Sequence, residues 1–418
     1  MRTPTAFLAG TWAIALAQTA FAAEVTPVVS SRSLKDFDVT LSLDWFHEST
    51  AGSIRRESVE ATGVALTDDV TYHQVRDSML LRGEIGLVQD LSFFLAGSFV
   101  LADNRGLDFD RSGDCASTTN PCVESLLRDG ILPGTQSTTW GLDSENNRRF
   151  QLPSSQVFSG PSRSGLEYLG LGLRWAAMNQ ARDLTKPTWI VSFETRLSVS
   201  DDQRFDPGKP TANRGVGLGY HQIILSTMFS RKFGAYEPYL GGWFMQPVLT
   251  SDSVFKDQGT DASAQRRTGG SVGIEATVWD DPRIHSRLAL EAVGRLEYRF
   301  AGLAQSELWE VLSGDSRCSA TSPSFCRPGI DVDANNKPAP NSGVLRSPAY
   351  GLSGADVGLS AHFGSHVRLR ALFGMLFQEA HFLSDGSSGN SVYDIPGRRF
   401  KADGLYSWHV LASAAATF

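Results

Sequence analysis

The sequence predicts an all-β protein: a transmembrane up-and-down antiparallel β-barrel of about 12 strands with long extracellular loops. Three observations point there. Twelve segments alternate strictly between apolar and other residues, the links between them are long and short in turn, and aromatic residues gather at both ends of the apolar faces. Such alternation is expected of a strand with lipid on one side and a lumen on the other.

The apolar faces can be read off in order. They begin Phe37, Val39, Leu41, Leu43, Trp45; then Met79 to Leu87; then Leu91 to Leu101 through Phe93 and Phe99. Leu169 to Trp175, Trp189 to Val199 and Ile223 to Phe229 follow. The seventh, Leu240, Gly242, Phe244, is less clean because Pro238 precedes it. Val272 to Val278, Leu288 to Tyr298, Ala355 to Phe363 and Val367 to Phe377 continue the series. Tyr406, Trp408, Val410, Ala412, Ala414, Ala416 and Phe418 complete it. Short links are expected at Val88–Asp90, Ala176–Pro187, Lys232–Ala235, Asp280–His285 and Gly364–His366. Long links are expected at 48–70, 103–163, 200–219, 247–268, 301–348 and 379–404. Short turns on one side and long loops on the other distinguish a membrane barrel from a soluble sandwich. Trp45, Phe244, Tyr298, Phe377 and Trp408 would mark one interface; Trp175, Trp189, Phe229, Phe363 and Phe418 would mark the other.

The ending resembles the C-terminal β-signal of Gram-negative outer-membrane barrels, in which a final aromatic strand is read by the barrel assembly machinery. The resemblance is at superfamily level and names no particular family. It implies an integral outer-membrane location, Phe418 as the assembly signal, and lipopolysaccharide as a neighbour. The other end agrees. Arg2, the apolar run Ala6 to Ala17 and the small-x-small site Ala20-Phe21-Ala22 read as a secretory signal peptide. Residues 1–22 are therefore expected to be the signal, 23–35 a periplasmic N-terminal segment, and 36–418 the barrel. After Ala22 no stretch approaches the roughly 20 apolar residues of a spanning helix. Forty Gly and a net charge of -7 suit large polar loops and argue against nucleic acid as partner.

Four cysteines fall in two of the long loops: Cys115 with Cys122, and Cys318 with Cys326. An oxidising compartment favours two local disulfides over a zinc site, since the C-x2-C pairs typical of zinc are missing. Those two loops carry candidate short helices, Val123–Asp129 and Ala304–Leu312, and are expected to form a crown outside the barrel rather than a constriction within it. Asp331, Asp333 and Asn335 hint at calcium, but without the Gly and distal Glu of a calcium loop they read as a polar turn. Neither metal nor cofactor is expected. Arg55-Arg56, Arg148-Arg149, Arg266-Arg267 and Arg398-Arg399 all map to the external side. Their guanidinium groups suit bidentate contact with lipopolysaccharide phosphates, with ion pairs to loop aspartates as the competing role.

Residues between the apolar positions should face the lumen. The candidates are Glu194, Arg196, Glu275, Glu291, Arg295, Glu297, Arg299, Asp356, Arg368 and Arg370. Acids and bases balance, which suits cross-strand ion pairs in a narrow bore rather than a wide selective pore. Catalytic residues are not expected. The best grouping, Asp356, Ser360 and His362, shares a face, but its ends lie roughly 20 Å apart along one strand. Two functions are compatible with the pattern. One is a narrow or gated, porin-like channel for small hydrophilic solutes. The other is a non-transport barrel that anchors or completes a periplasmic or outer-membrane machine for polysaccharide export, secretion or surface motility.

Overall fold

The computed structural model describes residues 38–109 and 156–418, apart from 210–211, 259–261, 328, 334 and 365. Twelve long strands close into a ring. They are β1 (Val39–Glu60), β2 (Gly63–Val88), β3 (Leu91–Phe109), β4 (Arg163–Met178), β5 (Thr188–Ser198) and β6 (Tyr220–Ser230). β7 (Tyr236–Leu249), β8 (Arg267–Asp281), β9 (Ser286–Arg299), β10 (Tyr350–Phe363), β11 (Val367–Gln378) and β12 (Phe400–Thr417) follow. Each pairs antiparallel with its sequence neighbour, and β1 pairs with β12 to close the ladder. Val39 and Phe418 exchange backbone hydrogen bonds at the seam. Closure leaves no unpaired sheet edge, the condition for strands to cross a membrane. Short pieces at Gln156–Ser159 and His381–Phe382 extend the sheet, and Gly302–Ala304 pairs separately with Leu345–Ser347.

The outward face carries the predicted apolar band. Leu43, Leu81, Leu95, Leu171, Phe193, Leu225, Leu290, Val357 and Phe373 are all exposed. From Val367 to Phe377 the band climbs ten residues, about 25 Å along the barrel axis for strands tilted by roughly 40°. Trp189 stacks on Phe229 at 5.2 Å at the turn end, and Tyr298 meets Phe300 edge-on at 5.0 Å at the loop end. The molecule is thus a transmembrane up-and-down β-barrel.

One expected loop is not a loop. Residues 48–70 belong to β1 and β2, which stay paired, with one bulge opposite Ile54 and Arg55, as far as the turn between Glu60 and Gly63. The outward apolar alternation ends there because the outer face leaves the apolar band and becomes polar. On it His47 bonds Asp77 at 2.8 Å, and Arg55 bonds Asp68 at 2.6 Å and Asp403 at 3.1 Å. No additional hairpin is inserted; the same hairpin is simply taller.

The long 301–348 loop also departs from expectation. It does not sit outside as a crown. Its α-helical turn, α1 (Trp309–Leu312), is fully buried, with Leu308, Trp309, Val311 and Leu312 at most 1% exposed. They share one apolar cluster with Ile54 of β1, Val70 and Tyr72 of β2, Leu107 of β3 and Phe400, Ala402 and Leu405 of β12. The loop therefore fills the mouth of the extended barrel. The companion loop with Cys115, Cys122 and Val123–Asp129 lies outside the described residues, as do Arg148, Arg149, the signal peptide and the segment 23–35.

Candidate functional site: the charged lumen and the inserted loop

Alternation turns every second strand residue inward, where charge must be paired or wet. The predicted lumen residues are buried and interlocked. Glu194 takes two bonds from Arg196, at 2.6 and 3.0 Å. Glu291 accepts from Arg370 at 3.0 and 3.2 Å and from the Tyr239 hydroxyl at 2.9 Å. Arg299 donates to Glu297 at 2.8 Å and to the Tyr350 hydroxyl at 3.0 Å. Arg287 pairs with Glu275, whose carboxylate also accepts from Ser360 at 3.3 Å. Arg295 pairs with Asp356, which is also 3.1 Å from His409. Arg368 lies on the same inward face of β11, opposite His362. Two of these pairs lie within one strand, Glu194 with Arg196 on β5 and Glu297 with Arg299 on β9, while the others cross strands: Glu291 belongs to Arg370, not Arg295.

The catalytic grouping does not assemble. Asp356 is held by Arg295 and His409, and Ser360 by Glu275. Among the described residues no cluster of His, Cys, Asp or Glu is arranged to hold a metal. Asp333 instead caps a turn, accepting from the Asn335 and Lys337 amides at 2.8 and 2.9 Å.

Glycines make room for this filling. A Cβ at Gly172 would strike Phe94, at Gly273 Tyr239, and at Gly374 Asp356 and His409. Ala176, Ile190, Met228, Tyr239 and Val293 form an apolar cluster across several strands, and Phe46, Leu372 and Leu411 form another at mid-height. Ion pairs and apolar clusters thus share the lumen, and the inserted loop closes it above.

Charge also holds the inserted loop. Arg163 at the start of β4, wholly buried, pairs with Glu310 of α1 and lies 5.1 Å over the Trp309 ring. Arg327 chelates Asp331 at 2.8 and 3.0 Å and donates to the Val311 and Leu312 carbonyls at 2.7 and 2.6 Å, tying off the end of α1. The Cys318–Cys326 disulfide closes the segment between them. None of Arg163, Glu310 and Arg327 is marked by spacing; the contacts are long-range and arise from the fold.

Beneath the inserted loop is a cavity of about 130 Å³. Its walls come from β1, β2, β3, β6, β8, β9, β10 and β11, and Leu303–Glu307 of the loop roofs it. Arg76, Arg105, Arg267 and Arg299 reach it, with the amides of Gln74, Gln203, Gln265, Gln305 and Gln378. His381 stacks on Tyr350 with ring centres 3.7 Å apart, and burial pushes its imidazole below the usual range, towards the neutral form.

The arginine pairs divide by face. Arg56 is buried and Arg267 lines the cavity, so neither can reach lipid; adjacent strand residues point to opposite sides, and an Arg-Arg pair is not one surface. Arg399 is committed to Glu57 at 3.1 and 3.2 Å, and Arg55 to two aspartates. Burial opposes ionisation of Glu57, but Arg399 and the Gly397 and Arg399 amides outweigh it and hold the carboxyl below its usual range. Arg266 and Arg398 are exposed.

The fold and lumen define the class: a membrane-spanning barrel with an ion-paired interior and an inserted loop. No protein-family model and no curated protein matches the chain. Among solved structures it is similar to an outer membrane channel from Pseudomonas putida F1, with 11% identity, 92% of this chain and 97% of that one covered, and TM-score 0.42. A Pseudomonas aeruginosa FadL homologue matches at 9% identity, covering 95% and 93%, TM-score 0.33. The β domain of a Bordetella autotransporter, BrkA, matches at 10% identity, covering 92% and 100%, TM-score 0.35. At these levels the likeness concerns barrel architecture only.

Proposed function

We propose that this barrel resides in the bacterial outer membrane and acts as a narrow, gated channel for small hydrophilic solutes. The observation that carries the reading is the polar cavity roofed by a separate, inserted segment rather than by the barrel wall. Ion pairs line the lumen below the cavity, so a solute that passed the loop would meet hydrogen-bonding groups. On this reading the turns face the periplasm, the loops face outward, and loop 301–348 is the gate. Glu194, Arg196, Glu275, Glu291, Arg295, Glu297, Arg299, Asp356, Arg368 and Arg370 line the path. Arg266 and Arg398 remain candidates for lipopolysaccharide phosphates, and Phe418, 72% exposed, for the assembly signal.

Planar-bilayer recording of the purified protein tests the channel. Small, intermittent conductance steps are expected, since bore grows with strand number and this lumen is crowded. Silence in the wild type and in variants with a released loop would remove the channel reading. One observation favours the second role, an anchoring or assembly barrel: ion pairs and two apolar clusters fill most of the lumen below the cavity. Silence would make that the better account.

A further inference from the structure

The cavity contains a charge arrangement that the protein does not balance locally. Arg267 of β8 stands directly opposite Arg299 of β9 in the ladder, and both line the cavity. Like charges facing each other across a strand pair are destabilising. Arg299 is neutralised by Glu297 and bonded to the Tyr350 hydroxyl. Arg267 has no ion pair among the described residues, and its buried Nε lacks a hydrogen-bond partner. Glu307, the carboxylate on the lining, accepts from Gln378 at 3.4 Å and makes no ion pair with Arg267.

Two further donors point the same way. Gln265, two residues before Arg267, is 4% exposed with its Nε2 unpartnered. Ser306, in the loop that roofs the cavity, is 8% exposed with its hydroxyl unpartnered. The Gln265 backbone N–H donates to the Leu303 carbonyl at 3.2 Å, which brings these donors to one corner of the site. Unsatisfied buried donors need an acceptor with several lone pairs. A guanidinium beside an amide and a hydroxyl matches a carboxylate flanked by hydroxyls.

We propose that this corner is a binding site for small hydroxylated monocarboxylates, the solute class the gated channel would take up. The inference rests on the channel reading for its physiological meaning, but not for its chemistry. At the roughly 30 Å³ a water occupies in the liquid, the cavity of about 130 Å³ holds about four waters, and so suits a solute of only a few carbons. Binding should be weak, on the order of millimolar, because a channel site must release what it captures.

The test uses the full-length protein in detergent, with glycerate as probe and glycerol as its uncharged match. Saturation-transfer NMR and equilibrium titration should show glycerate binding at least about tenfold tighter than glycerol, as a charge-assisted contact requires. Arg267→Gln should reduce that preference to within about twofold, and Arg267→Lys should retain part of it. Gln265→Ala should weaken both probes alike, which serves as a check if the charge variant folds poorly. Equal binding of the two probes by wild type, or an undiminished glycerate preference in Arg267→Gln, overturns the site. Bilayer recording separates the two claims. Glycerate binding by a protein that never conducts refutes the channel and leaves the site standing. Conductance without glycerate preference does the reverse.

Discussion

Arg163→Ala should loosen the inserted loop without dissolving the barrel. The side chain is wholly buried, paired with Glu310 and stacked over Trp309. Removing it leaves the buried Glu310 carboxylate without the guanidinium it is bonded to, a change that costs up to about 3–5 kcal/mol. Against that stands the burial of Leu308, Trp309, Val311 and Leu312, worth at most about 1.5–3 kcal/mol each, or roughly 6–12 kcal/mol together. The loop therefore stays seated on average, but its open population rises. At 1.4 kcal/mol per factor of ten, the increase is up to about a hundredfold to a few thousandfold. Single-channel recording reads this as opening frequency, and limited proteolysis of 301–348 reads it independently. Replacing both partners with apolar residues, Arg163→Met with Glu310→Leu, should return opening towards wild type, since a buried pair exchanged whole costs little. If Arg163→Ala leaves both readouts unchanged, the pair does not hold the loop. If proteolysis rises while conductance does not, the loop is not the gate.

Three further outcomes follow from the same contacts. Arg295→Ala with Arg299→Ala removes the guanidinium from Asp356 and Glu297, so a reversal-potential measurement should show greater cation preference; no shift, or a shift to anions, would exclude these side chains from the conducting path. Glu57 has a folded pKa below its unfolded value of about 4.3, so its clamp on Arg399 contributes fully above that pH and is lost as pH falls through the lower folded value. Hydrogen exchange in 385–400 should accelerate across that acidic window, and Glu57→Gln should abolish the pH dependence. Peptide mapping without reductant should recover Cys318 joined to Cys326 and Cys115 joined to Cys122; a bond between the two loops, or free thiols at either pair, contradicts local pairing.

The barrel was legible because lipid imposes a one-residue alternation that nothing else in the chain imitates. Leu369, Ala371, Phe373, Met375 and Phe377 face outward without exception, while their inward neighbours vary freely, from Arg368 and Arg370 to Leu372, Gly374 and Leu376. The cross-strand pairing within the lumen was not legible, because it depends on which strands the fold brings together. Glu291 is separated from Arg370 by 79 residues, yet they meet across β10. The four-residue α1 is too short to show a helical period, so nothing in its own sequence marked it as an insert.

A sign of the insertion was nevertheless present, in the phase of the alternation rather than its strength. Through the membrane band, β1 places Leu41, Leu43 and Trp45 outward and Ser42 and Asp44 inward. Higher up the same strand the order is reversed: Ile54 is inward and fully buried, while Arg55 is outward among aspartates. β2 does the same, changing from outward Met79 and Leu81 to inward Val70 and Tyr72. In a strand that has left lipid, apolar residues gain nothing by facing out, and they turn inward only when something apolar is there to meet them. That something is Trp309 and its neighbours. A reversal of phase within one long strand therefore reports two facts together, the height at which the barrel leaves the membrane and the presence of an apolar plug inside its mouth.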